Sequence, residues 1–81
     1  MNMIERHTAE SRINELKIRA MQMDNASSRK SREAYNASYL LNSEAKVDAL
    51  RAEANRYAEA RDQMYEEVNE LTAALAKGEQ S

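Results

Sequence analysis

The stretch 40-LLNSEAKVDALRAEANRYAEARDQMYEEVNELTAAL-75 decides the fold. Leu40, Val47, Leu50, Ala54, Tyr57, Met64, Val68, Leu71 and Leu75 fall on alternating spacings of three and four, the a/d seam of a coiled coil over five heptads. Ser43 and Arg61 stand at seam positions and interrupt it. A seam of this kind lays one helix against another. It names no biological process, so the sequence is read for a class of function.

Working outward from the seam, residues 28–77 read as one long helix, roughly 75 Å from end to end. Gly78 supplies a C-cap, Lys77 complements the dipole of the last turn, and 78–81 form a frayed tail. Upstream, residues 3–24 read as a first helix of roughly 33 Å. Asn2 followed three residues later by Glu5 resembles a capping box. Ile13, Leu16, Ala20 and Met23 share one face of that helix, while Ile18 and Met21 lie off it. The first helix is therefore apolar on more than one side.

Between them, residues 24–32 (DNASSRKSR) contain no large apolar side chain. Asp, Asn and Ser compete for backbone hydrogen bonds and favour turns. Extending the first seam from Ile13 by sevens reaches residue 41, whereas the second seam uses Leu40. A helix, a turn over 24–32 and a second helix account most simply for this change of register. A continuous helix is the alternative, since neither Pro nor Gly interrupts the stretch. The expected fold is all-α: a helical hairpin with a short first helix and a long second helix, assembled as a coiled-coil or helical-bundle oligomer.

Composition bounds the rest. Leu, Ile and Val together number eleven in 81 residues, with no Phe and no Trp, so the apolar surface is thin. Fourteen Ala, no Pro and one Gly favour helix. A net charge of −2 does not force disorder. The absence of Cys excludes disulfides and thiolate zinc sites. Seven charges in the first twenty residues argue against a signal peptide, and no run approaches a membrane span. The default expectation is a cytoplasmic protein without membrane contact.

The mismatch in helix length is informative. A short first helix folded back covers the second only to about residue 50. The seam beyond Ala54 is then bare, and an exposed stripe of that length marks an interface. A homodimer is the simplest cover. Its interface residues are Leu40, Val47, Leu50, Tyr57, Met64, Val68, Leu71 and Leu75. In an antiparallel homodimer Arg61 could meet acidic residues of the partner.

No chemistry-bearing motif emerges. His7 with Glu10 places two ligand types on one face, but a metal site needs three or four. The single Gly cannot build a phosphate loop. No enzyme, metal or cofactor is expected. Arg29, Lys30 and Arg32 form a basic cluster at the expected turn, followed by Tyr35 and Tyr39 on one face. These five are the candidate partner-binding residues. One use is phosphate contact by the cations and the amides of the second helix's N-terminus, with the tyrosines stacking on bases. The other is a solvated turn, with Tyr35 and Tyr39 packed on the first helix. Glu59, Asp62, Glu66 and Glu70 lie on an outer face, read as a solubilising face, with a surface that mimics nucleic acid or docks on a basic partner as the alternative. The leading function is a non-enzymatic protein–protein interaction module: an adaptor, assembly factor or small inhibitor of an unidentified partner, acting as a homo-oligomer. The alternative is a binder of nucleic acid or a phosphate-bearing ligand through the basic turn.

Overall fold

The computed structural model describes residues 2–40 and 44–80, with the side chains of Leu40, Glu79 and Gln80 outside the described set. Two helices account for the described chain: α1, Met3–Leu40, and α2, Glu44–Gln80. Asn2 opens α1. Its Oδ1 accepts a hydrogen bond from the Glu5 backbone N–H at 2.8 Å, and its carbonyl accepts one from the Arg6 N–H at 3.0 Å. This is the geometry of an N-cap whose side chain satisfies one otherwise orphaned amide. Asn2→Ala is expected to cost about 1 kcal/mol. That corresponds to about 4–8 °C in Tm for a chain of this size, measurable by thermal circular dichroism.

The helices run antiparallel and pack along their whole length. Arg12 meets Glu67, Ser27 meets Ala54, and Lys30 meets Glu53, so partner numbers fall on α2 as they rise on α1. The result is a rod, 59 × 14 × 12 Å, with a radius of gyration of 18.0 Å. A compact domain of this length would have a radius near ~12 Å. Helices of 38 and 37 residues at ~1.5 Å per residue account for the long axis.

Three expectations are corrected here. The first helix is not short: α1 is as long as α2. Residues 24–32 are not a turn but lie inside α1, and the chain reverses direction between Leu40 and Glu44. The helix does not stop before Gly78, since α2 runs to Gln80. The first two corrections share one cause. On α1 the positions Ala9, Ile13, Leu16, Ala20, Met23, Ser27, Lys30, Ala34 and Ala37 continue at spacings of three and four without a slip, and all are buried or half-buried. The seam therefore runs through the polar stretch with small and long polar residues in place of large apolar ones. Asp, Asn and Ser each cost only ~0.5 kcal/mol of helix propensity, which packing on α2 offsets. The register of α1 changes to that of α2 across residues 41–43, where the two helices join. Leu41 and Ser43 themselves lie outside the described residues.

The core is divided. Near the free ends, Ile13 and Leu16 pack with Val68, flanked by Met64, Leu71 and Leu75. Near the joined ends, Ala34 and Ala37 pack with Val47, flanked by Leu50. Small residues on α1 face large ones on α2 at the joined end. That is one use of the alanines. Ala20, Ala26, Ala34, Ala37 and Ala54 are buried, whereas Ala45, Ala49 and Ala52 are exposed and contribute helix propensity alone. No described helix is long and apolar enough to cross a membrane.

Candidate interaction surface

The seam of α2 is occupied within the chain. Val47, Ala54 and Val68 are buried, and Leu50, Tyr57, Met64, Leu71 and Leu75 are half-buried, in a single protomer. These residues, proposed above as an oligomer interface, hold the hairpin together. Leu40 is the exception, its side chain lying outside the described set. With α1 as long as α2, no bare half of the seam remains, and the premise for covering it with a second copy is gone.

Between the two apolar clusters lies a polar band. Arg61, on the α2 seam, forms an ion pair with Asp24 of α1 and a second with its neighbour Asp62 at 3.1 Å. The anticipated acidic counterpart of Arg61 in an antiparallel arrangement is thus α1 of the same chain. Lys30, on the α1 seam, pairs with Glu53 at 3.1 Å and with Glu33 at 3.5 Å. The Ser27 hydroxyl donates to the Ala54 carbonyl at 2.9 Å. A hydroxyl reaching a backbone carbonyl of the facing helix requires close approach, which the small residues on both sides allow. Hydrogen bonding to Glu53, with the charge of Glu33 beside it, raises the Lys30 pKa above the ordinary lysine value. Bonds to Asp24 and Asp62 raise that of Arg61.

A raised lysine pKa stabilises the fold at neutral pH, and that contribution is lost as pH rises past the ordinary lysine value and through the raised one. Polar seam residues fix register at some loss of stability. Lys30→Leu, at a half-buried seam position, is expected to raise Tm by about 5 °C at neutral pH. The gap between variant and wild type should widen as the pH passes the lysine range, when the wild type alone loses the pairing. Thermal melts at neutral and alkaline pH measure both.

The basic cluster does not form one site. Lys30 lies half-buried at the edge of the helix pair and is neutralised by two carboxylates. Arg29 and Arg32 are exposed on the outer side of α1. No helix begins at residues 24–32, so the backbone amides proposed to join the cations are consumed inside α1. Tyr35 and Tyr39 are not packed on the first helix either. They belong to it, on its solvent side, 69% and 80% exposed. A shallow groove nearby is lined by Lys30, Glu53, Arg56 and Tyr57, a mixed-charge set. Among the described residues, no group of three acidic or histidine side chains could hold a metal ion. Glu10 pairs with Arg6 at 3.8 Å.

The structure brings together a different set. Ile4, Ile18, Met21, Tyr35 and Tyr39 are all exposed on α1. They repeat at spacings made of threes, fours and sevens and lie on the side facing away from α2. Sequence reasoning saw Ile18 and Met21 leave the main face but did not connect them to the tyrosines. The connection needed α1 to continue unbroken through residues 24–32.

The fold and this surface define a class: an elongated antiparallel helical hairpin with five exposed apolar side chains, interspersed with polar ones, on the back of its first helix. In comparison with known proteins, the chain matches no protein family, no curated protein and no solved structure.

Proposed function

We propose that this chain is a non-enzymatic protein–protein interaction module that works through the outer face of α1 as a helical homo-oligomer. The observation that carries this reading is the row of exposed apolar side chains, Ile4, Ile18, Met21, Tyr35 and Tyr39, on a helix whose other face is already packed. Isolated exposed apolar residues need no explanation, but apolar side chains returning to one helix face, here with polar residues between them, are a form that a helix-docking surface takes. Tyr and Met suit this use, one with an apolar ring and a wet hydroxyl, the other with an adaptable chain. The phosphate reading has less support, since Lys30 is already paired and Arg29 and Arg32 stand without helix-terminal amides.

A photo-crosslinking residue placed at Ile18 tests the proposal in cell extract, with the same residue at Glu66 on α2 as the control. Crosslinked protein at Ile18 that is absent at Glu66 supports the reading. It should disappear when Met21→Lys is added and helicity is retained. Equal crosslinking at both positions sinks it. Crosslinking at Arg29 that vanishes at about 0.5 M salt would favour the phosphate reading instead.

A further inference from the structure

We infer that the occupant of the outer face of α1 is α1 of a second copy, lying antiparallel, with Ile18 and Met21 at the two-fold axis. This rests on the reading of that face as the working surface. The inference comes from the order of residues along the stripe. Its positions are Ile4, His7, Ser11, Asn14, Ile18, Met21, Asn25, Ser28, Arg32 and Tyr35, spaced by threes and fours. All ten are exposed.

Read from either end, this row has the same polarity. With Ile18 opposite Met21 of the second copy, Ile4 faces its Tyr35, Ser11 its Ser28, Asn14 its Asn25, and His7 its Arg32. Apolar layers meet apolar layers, and polar layers meet polar ones. An isologous interface requires such self-complementarity, because each patch must fit itself. Tyr39 falls just past the last layer, beside the second copy's Met3, which is also exposed.

Charge selects the same arrangement. In this register Lys17 lies opposite the second copy's Asp24, and symmetry repeats the pair. Lys17 is exposed, and the Asp24 side chain remains 50% exposed while holding Arg61. Glu10 and Glu15 face Ser31 and Gln22, and Arg29 faces Thr8, so no like charges are opposed. Other registers do worse. Sliding by one heptad puts Ile18 against Ser28 or Asn14. A parallel pair in register stacks Arg32 on Arg32 and brings Glu10 beside Glu15, both repulsive. The polar layers limit the strength of association, so a dissociation constant of micromolar order is expected.

Sedimentation equilibrium from about 5 to about 500 µM is the first test, with a monomer–dimer transition expected in that range. Met21→Lys should abolish the dimer while leaving helicity unchanged, because Met21 does not touch α2. Lys17→Glu should weaken it about tenfold or more at low salt. Orientation is read by oxidising a mixture of Ile4→Cys chains with Tyr35→Cys chains. Disulfides between unlike chains support the antiparallel pair, and disulfides between like chains overturn it. A chain that stays monomeric yet crosslinks another protein at position 18 overturns the second copy as occupant and preserves the face as the working surface. A chain that stays monomeric and crosslinks nothing there overturns both.

Discussion

Val68→Asp should unfold the hairpin. Val68 is buried against Ile13 and Leu16 in the cluster at the free ends. A carboxylate there loses its hydration without any basic partner in the cluster, and breaks the packing of both neighbours. The combined penalty is at least ~3 kcal/mol. A two-helix chain of 81 residues with eleven branched aliphatic side chains has only a few kcal/mol of stability to lose. The expected result is a large fall in helical ellipticity at room temperature. The fall should already be complete at protein concentrations below the dimer range, since the contact is made within one chain. Glu66→Asp, on the exposed side of α2, should leave the signal unchanged. A folded Val68→Asp variant would show that this seam does not hold α1 to α2.

The second large effect tests why alanine is so frequent. Leu and Ala have similar helix propensity, so exchanging them on α1 or α2 isolates packing from propensity. Ala34 is buried against the cluster formed with Val47 and Leu50. Ala34→Leu inserts three carbon atoms into a buried contact between the helices, and overpacking of this kind costs about 1–3 kcal/mol. At about 4–8 °C per kcal/mol, Tm should drop well outside experimental scatter. Ala52→Leu on the exposed side of α2 should move Tm by no more than about 0.5 kcal/mol allows. Equal tolerance at the two positions would reduce the buried alanines to helix formers and remove the case for close approach of the helices.

The two variants also divide the molecule. Val68 sits in the cluster of larger side chains at the free ends, and Ala34 in the cluster of small-on-large contacts at the joined ends. The polar band of Asp24–Arg61, Ser27–Ala54 and Lys30–Glu53 separates them. The cross-helix pairs Asp24–Arg61 and Lys30–Glu53 belong to this alignment of the helices. A slip of one heptad would lay Lys30 against Ala60 or Lys46 and Arg61 against Ser31 or Lys17, none of them an acid. Specificity of register is the use best attested for such polar positions, and it accompanies a lower stability than an all-apolar seam would give.

Much of this was legible in the residues themselves. The three–four spacing from Val47 to Leu75 required an α-helix with one buried face, because only a helix places those positions on one side. Asn2 and Glu5 marked the start of α1 through the chemistry of an N-cap. Arg61 on a seam pointed to an acid from a second copy, whereas the acid is Asp24 of its own chain. What local rules could not decide was where the chain turns. Residues 24–32 have turn-favouring side chains, yet turn preference is worth only fractions of a kcal/mol per residue. The packing of Ala26, Ser27, Lys30 and Ala34 on α2 outweighs it. That balance exists only once α2 lies alongside, so only the tertiary structure gave α1 its full length. The same step reassigned the Val47–Leu75 seam from a second copy to α1 of its own chain. It also left the back of α1 as the exposed apolar face. The sequence by itself determined that helices would pack through a heptad seam, and the length of α1 decided which helix fills it.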